Sequence, residues 1–427
     1  MKFLYSERFQ RLSKEGFWVI LGQFLAVLGS LFGVRILTGL LEPKVYGELS
    51  LGLTIALLVS QIALAPLGNG IMRFYALAVE NGDLAGYLAS ARRLMAIATW
   101  VVIGVTFIVL LSFLILGFGQ WTAIIFGAVI FALFSGYVAI LNSVQNAARH
   151  RVVVAFFQGI EPWARFLIAT GLIMLLGKTS VMAMFGFASA IILVFCLQYM
   201  FFIKKFFFTQ VKRSVNVDWA KQIWEFSWPF SIWVGFTCVQ QGSDRWALQF
   251  FTNTADVGRY AVLFQLGYYP ISLVSGMAFQ FLAPIFYQRV GDASDDLRNS
   301  NVNKLSRQLV ILTFGITGFV FLVTFFFHNL IFHIFAAKQY GNVSFLLPWE
   351  IAAGGIFAAG QTIALELQSR MKTGIMMWAK IITAVLGVVF NCVGAFYSGI
   401  SGVVFAGLFF SFVYFLWMVI LSKATNA

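Results

Sequence analysis

The same succession of residues occurs twice in this chain, about half a chain length apart. The matching positions are Arg35 and Arg245, Gly47 and Gly258, Phe74-Tyr75 and Phe286-Tyr287, and Trp163-Ala164-Arg165 and Trp378-Ala379-Lys380. They follow one order, and the offset stays between 210 and 215 residues. Each copy consists almost wholly of long apolar runs. The sequence therefore predicts a duplicated bundle of membrane helices.

Composition excludes a soluble globule, because 60% of the 427 residues are hydrophobic and only 11% are charged, against about 25% in average usage. A helix needs roughly 20 apolar residues to cross a bilayer. Twelve stretches are long enough. They are Phe17 to Thr38, Leu49 to Met72, Leu94 to Phe118, Trp121 to Leu141, Val152 to Leu176, Val181 to Ile203, Ile223 to Gln240, Tyr260 to Pro284, Leu309 to Phe335, Phe345 to Leu367, Ile375 to Phe396 and Ile400 to Leu421. The predicted fold is an all-α polytopic membrane protein.

The distribution of Lys and Arg predicts the orientation, since short cytoplasmic loops accumulate both residues. The loops on one side hold only Lys44, Lys178, Arg259 and Lys338, whereas most of the 29 Lys and Arg residues fall on the other side. Both termini are therefore expected in the cytoplasm. The net charge of +13 follows from this bias and suits anionic membrane lipid, so no nucleic-acid partner is expected.

One polar, basic stretch, residues 204–222, is the only break that looks like a domain linker. It divides the chain into a six-helix bundle over residues 1–203 and a second over residues 223–427. Because six is even, both bundles enter the membrane in the same direction, which predicts a pseudo-twofold axis along the membrane normal. Repeats of this kind, with sites between them, are typical of secondary transporters.

Four cations fall inside or at the edge of predicted spans: Arg35, Arg165, Arg245 and Lys380. Charged groups at such depth are costly and are candidates for function. Arg245 matches Arg35 in the repeat and Lys380 matches Arg165, which favours binding of an anion from outside the protein. Two structural alternatives stay open. Arg165 could pair with Glu161 one helical turn away, and the outer arginines could reach the membrane surface.

Three acids are candidates for coupling transport to a proton or cation: Glu161, which is preferred, and then Asp244 and Glu366. Glu350 is assigned a structural role instead, because it lies in the first turn of a predicted helix, where a carboxylate favours the helix dipole. No nucleotide-binding loop and no metal-ligand spacing occurs in the sequence. The chain is therefore expected to be no enzyme and to carry no cofactor and no metal.

Two stretches resemble motifs of one transporter family. Residues 35–47, RILTGLLEPKVYG, resemble the R-x-L-G-P-x-x-Y-G stretch between the first two helices of polysaccharide flippases, the Wzx-type translocases of the MATE-like MOP exporter superfamily. Residues 66–75, PLGNGIMRFY, resemble the glycine-rich end of their second helix, which precedes an arginine. The chain departs from the family at Thr38-Gly39 and Leu41-Glu42, where a Leu-Gly-Pro run is common.

The resemblance implies alternating-access movement of an undecaprenyl-diphosphate-linked oligosaccharide from the inner to the outer leaflet of the inner membrane of a bacterium, for surface polysaccharide biosynthesis. It implies as partners the lipid-linked diphosphate, membrane lipid, a polysaccharide polymerase and glycosyltransferases. Unsatisfied hydroxyls in hydrocarbon cost roughly 2–7 kcal/mol each, so such cargo cannot cross unaided. Arg35, Arg245, Arg165 and Lys380 would then bind its anionic part.

Other functions stay open at this stage. An ion-coupled drug or cation antiporter of the same superfamily would share the fold but would place acids in its cavity. A cell-wall precursor flippase usually carries two further helices. A membrane-embedded polymerase or acyltransferase is a different class and requires a large outer loop or a catalytic His, Asp or Arg group, and the sequence contains neither.

Overall fold

The computed structural model describes residues 2–206, 218–276, 286, 296–369 and 373–424, and in these ranges there is no strand. Two 3-10 helices, Gly119–Trp121 and Lys338–Leu346, precede α5 and α12. The α-helices are α1 (Lys2–Leu40), α2 (Pro43–Ala63), α3 (Ala65–Glu80), α4 (Leu84–Ile115), α5 (Thr122–Ala147), α6 (Arg151–Leu176), α7 (Ser180–Phe206), α8 (Trp219–Phe251), α9 (Thr254–Leu266), α10 (268–276), α11 (Asp296–Phe335), α12 (Leu347–Ser369) and α13 (Thr373–Ala424).

Within the described ranges, nine helical stretches are long and apolar enough to cross a membrane. The predicted all-α, multi-pass membrane protein is thereby confirmed. In the most apolar part of α4 only 6% of the residues are buried, and in that of residues 302–335 only 11% are. In the most apolar part of residues 338–369, 72% of the residues are buried. Helices α4 and α11 therefore present apolar surface outwards, as lipid-facing helices do, and α12 forms part of a protein interior.

Proline and glycine explain where long apolar stretches bend. The predicted second span is divided into α2 and α3 at Leu64, and Pro66 follows in the first turn of α3. Proline lacks the N–H that would continue the earlier helix, so the break falls before it. Helix α13 bends at Gly399, which has φ 55° and ψ −129°, a conformation that glycine adopts at little cost. This bend lies between the last two predicted spans.

Close backbone packing holds α1 against α6. Gly22 and Gly159 face each other, and a Cβ on Gly159 would lie 2.9 Å from the carbonyl oxygen of Gly22. Trp163 packs over Gly29, and its indole N–H donates to the carbonyl oxygen of Leu25 at 2.9 Å. Because small residues let two backbones approach, this contact sets the register of α6, which carries several of the predicted site residues.

The chain forms two compact units. Unit 1 contains residues 1–33 and 51–238, and unit 2 contains residues 34–50 and 239–427. The units differ from the bundles 1–203 and 223–427 expected from sequence in two segments. Unit 2 contains residues 34–50, and unit 1 contains residues 223–238. That two-bundle division stays a prediction. Most of the expected linker, residues 207–217, lies outside the described residues, as does Tyr287 of the repeated Phe-Tyr pair.

The end of the expected linker is part of the core of unit 1. Trp219 is 1% exposed, and its indole N–H donates to Asp83 Oδ2 at 2.9 Å. Asp83 also accepts a hydrogen bond from the Gly86 amide at the start of α4, and the Tyr87 ring meets Trp219 edge to face. Residues 219–222 therefore begin helix α8 rather than continue a flexible tether.

Candidate functional site

Unit 1 places a line of polar side chains on one face of α6. Gln158, Glu161 and Arg165 follow the spacing that the sequence indicated. Gln158 accepts a hydrogen bond from Gln23 of α1 at 3.1 Å. Arg165 and Glu161 form an ion pair at 3.1 Å, with side chains 19% and 20% exposed. The pairing that the sequence left open is therefore present, and the two charges neutralise each other.

Aromatic rings enclose the Arg165 guanidinium. Its central carbon lies 5.9 Å, 5.7 Å and 5.4 Å from the ring centroids of Phe131, Phe166 and Phe187. The Nε of Arg165 is buried and has no hydrogen-bond partner. Ring faces attract a cation, but they do not satisfy an N–H donor. The guanidinium therefore keeps one unused donor for an acceptor atom.

Unit 2 contains a buried ionic cluster around Asp244 on α8. Asp244 Oδ1 accepts from the Arg245 amide at 2.6 Å and from Arg245 Nη1 at 3.2 Å. Asp244 Oδ2 accepts from the Tyr260 hydroxyl at 2.9 Å. The Arg245 and Asp244 side chains are only 13% and 7% exposed. A carboxylate with several donors is well satisfied at this depth.

Arg245 also lies over aromatic rings. Its guanidinium carbon is 5.9 Å from the Tyr260 ring centroid and 4.5 Å from that of Phe264. Both rings belong to α9, and Phe264 stacks on Tyr268 of α10 with centroids 5.0 Å apart. The arrangement parallels the enclosed Arg165 of unit 1. In both units, one arginine combines a carboxylate partner with an aromatic wall.

Glu350 joins this cluster from α12. The residue is 3% exposed and interacts electrostatically with Asp244, Arg245 and the Tyr260 hydroxyl. A Cβ on Gly267 would lie 2.7 Å from the Glu350 Cβ. Gly267 thus lets the chain between α9 and α10 come close to α12. The cluster therefore contains two carboxyl groups and one guanidinium.

The unit 2 cluster contains one carboxyl group more than it contains cations. With both carboxyl groups ionised, its net charge is −1, because the titratable neighbours Tyr260 and Tyr268 are neutral hydroxyls. An uncompensated charge in a desolvated site is strongly unfavourable. Binding of a proton or a small cation would bring the cluster to neutrality. The paired charges of Glu161 and Arg165 in unit 1 create no such demand.

Arg35 lies at the end of α1 and has a different environment from Arg245. Its guanidinium donates to the carbonyl oxygen of Ala336, directly after α11. A cation at a helix C-terminus is favoured by the helix dipole. Arg35 remains exposed to solvent, so it keeps its charge available at the surface of unit 2.

Lys380 and Glu366 lie in unit 2, whereas Arg165 lies in unit 1. Lys380 is 9% exposed on α13, and Glu366 is 3% exposed on α12. Glu366 Oε1 accepts from Ser422 Oγ at 3.1 Å, which ties α12 to the last turns of α13. Neither residue belongs to the Asp244 cluster.

Sequence reasoning missed Glu350 and Tyr260 as site residues. Glu350 does lie in the first turn of α12, as expected, but its contacts with α8 and α9 come from tertiary packing. One signal was present in the sequence: both residues lie in otherwise apolar surroundings at the same predicted end of their spans as Asp244. That shared depth would have suggested a common cluster.

No family model and no curated protein matches this chain. Solved structures do match along nearly the whole chain. The lipid II flippase MurJ in an inward closed conformation aligns with a TM-score of 0.71 at 12% identity, over 96% of this chain and 87% of that one. A multidrug resistance MATE family transporter of the MOP superfamily aligns in its inward-facing conformation with a TM-score of 0.65 at 16% identity, over 94% of this chain and 95% of that one. Its outward-facing conformation gives 0.62, at 14% identity and 96% of both chains. The chain therefore has the fold of these flippase and transporter structures.

Proposed function

We propose that the protein is a secondary transporter that flips undecaprenyl-diphosphate-linked oligosaccharide from the inner to the outer leaflet of the cytoplasmic membrane. The observation that carries the proposal is the match to a lipid II flippase along 96% of this chain. The resemblance of residues 35–47 and 66–75 to polysaccharide flippases adds the polysaccharide cargo. The product would supply a polysaccharide polymerase, and glycosyltransferases would assemble the cargo.

The proposed architecture has twelve spans in two bundles, residues 1–203 and 223–427, joined by residues 204–222, with both termini in the cytoplasm. Two features of the helices support this count. Helices α2 and α3 together form one stretch of 38 residues. The bend at Gly399 divides α13, whose apolar stretch of 47 residues is about 70 Å long at 1.5 Å per residue, enough for two crossings.

Arg35, Arg165, Arg245 and Lys380 are proposed to bind the diphosphate and any acidic sugar. The contacts of the three arginines differ in how readily each could accept an anion. Arg35 is exposed and its hydrogen bond goes to a neutral carbonyl, so its charge is free to attract the cargo. Arg165 and Arg245 already hold carboxylates, and a phosphate would have to displace these partners. Charge-assisted bonds to phosphate are strong enough for such an exchange.

Coupling to a proton or cation is proposed at Asp244, together with Glu350. The support is the excess of one carboxyl group over the single guanidinium in this buried cluster, which binding of one proton or cation would compensate. Glu161 and Glu366 are the weaker candidates. Glu161 is neutralised by Arg165 at 3.1 Å, and Glu366 accepts a hydrogen bond that holds two helices together.

The same cluster favours a second candidate, an ion-coupled multidrug or cation antiporter. Acids in a buried site suit cationic cargo, and a multidrug resistance transporter is among the matching structures. The two candidates differ in the charge of the cargo. A transport assay with one anionic and one cationic substrate therefore separates them.

The test uses full-length protein in proteoliposomes, with a fluorescent lipid-linked oligosaccharide diphosphate and a cationic dye as alternative cargoes. We expect flipping of the lipid and no dye transport, and an imposed proton or sodium gradient should change the flipping rate.

Asp244→Asn should remove the response to the gradient. Asp256→Asn, which alters an ion pair of α9 with side chains 22–31% exposed, is the matched control and should retain the response. Dye transport without lipid flipping would reject the flippase in favour of the antiporter.

A further inference from the structure

The end of α1 and the start of α2 are built into the unit formed by the C-terminal half. Residues 34–50 belong to unit 2, although the preceding and following segments belong to unit 1. The distribution of Lys and Arg predicts that this end of the helices faces outside. A short segment of the first repeat thus contacts the second repeat at the predicted outer surface.

The backbones of α2 and α9 cross at two glycines. A Cβ on Gly47 would lie 3.0 Å from the Gly258 nitrogen and would overlap the carbonyl oxygen of Thr254. A Cβ on Gly258 would lie 2.9 Å from the Gly47 nitrogen and would overlap the carbonyl oxygen of Pro43. The contact is reciprocal, and both residue pairs are 211 positions apart. Reciprocal contacts of this kind are what a twofold repeat produces, so the crossing suits the duplication that the sequence predicts.

Hydrogen bonds add a second connection beside the crossing, between the end of α1 and the segment after α11. The Ala337 amide donates to Thr38 Oγ1 at 3.1 Å. Gln339 Nε2 donates to the carbonyl oxygens of Thr38 and Leu41 at 3.2 Å and 3.0 Å, and the Tyr340 hydroxyl donates to that of Leu41 at 2.9 Å. Most of these acceptors are main-chain carbonyls at the end of a helix. Water can replace such bonds when the surfaces part.

We propose that the Gly47–Gly258 crossing, with the hydrogen bonds of residues 337–340, is the outer gate of the transport path, closed in this structure. The inference rests on the proposed transport function. Two backbones in direct contact leave no room for a hydrated saccharide, so this contact must open before cargo leaves on the outer side. Only glycine at both positions allows full closure.

The conformational test measures one distance across the gate. Spin labels at Lys44→Cys and Ala255→Cys occupy positions related by the same offset of 211 residues, in full-length protein whose three native cysteines have been replaced. We expect Gly47→Ala and Gly258→Ala each to shift the population towards the longer distance, on the order of tenfold. Gly39→Ala is the matched control, because a Cβ there meets nothing within 4 Å, and it should keep the wild-type distribution.

A disulfide provides a test that needs no glycine variant to fold. Thr38→Cys with Ala337→Cys should form a crosslink on oxidation, stop transport in proteoliposomes and regain activity on reduction. Wild-type distances in both glycine variants, or full transport in the crosslinked protein, would overturn the gate. If the distances respond as expected but the wild-type protein flips no lipid-linked oligosaccharide, the gate stands and the proposed cargo is wrong.

Discussion

At the scale of single residues, burial decides how much each charged pair matters. Glu161 and Arg165 lie 3.1 Å apart with about a fifth of each side chain exposed, whereas Lys221 and Glu225 lie 3.9 Å apart with side chains 69% and 61% exposed. Both pairs have the same helical spacing. Exposed pairs contribute about 0–1 kcal/mol, and removing one partner of a desolvated pair costs more, because the other charge is left uncompensated.

We therefore expect Arg165→Ala to lower the free energy of unfolding by about 1–3 kcal/mol, after allowing for partial exposure. The double substitution Glu161→Gln with Arg165→Gln should regain most of this loss, since no buried charge is left unpaired, yet transport should remain impaired because the cation is gone. Lys221→Ala is the control and should change stability little. Thermal unfolding in detergent measures stability and proteoliposomes measure transport. Full transport in the double variant would contradict a role for Arg165 in cargo binding.

At the scale of helices, bends follow backbone chemistry more closely than hydropathy does. Residues 378–424 form one apolar stretch of 47 residues, and the bend at Gly399 lies between the two spans predicted there. At the same scale, the proposed outer gate depends on the absence of a Cβ at Gly47 and Gly258, since any side chain at the α2–α9 crossing would meet main-chain atoms. Glycine thus determines both where a helix bends and where two helices can touch.

We expect Gly399→Ala to lower the melting temperature by about 1–3 °C, because a Cβ at φ 55° and ψ −129° costs about 1–3 kcal/mol. Gly407→Ala on the same helix is the control. A Cβ at Gly407 meets nothing within 4 Å, so its melting temperature should stay the same or rise slightly. Equal melting temperatures for the two variants would show that the bend at Gly399 is not needed for stability.

At the scale of the whole molecule, the orientation in the membrane is the prediction on which the direction of transport depends. Lys178 lies in a predicted outer loop and Lys221 on the predicted inner side, and both are exposed. In a background without Cys196, Cys238 and Cys392, a membrane-impermeant maleimide added to intact cells should label Lys178→Cys. Lys221→Cys should be labelled only after the membrane is opened. The reverse pattern would invert the topology and place the proposed gate in the cytoplasm.

The sequence by itself determined that the chain is helical and built for a bilayer, because long apolar runs are local properties that any single chain displays, and it predicts the duplication. It also placed Glu161 within a span and Asp244 and Arg245 near the end of one, where ionisable residues are conspicuous. Only the tertiary structure decided which of them meet. Arg35 bonds to a carbonyl 301 residues away, and Glu350 joins Asp244 through the packing of α12 against α9. Such contacts depend on how distant helices pack, and no local pattern in one sequence encodes that geometry.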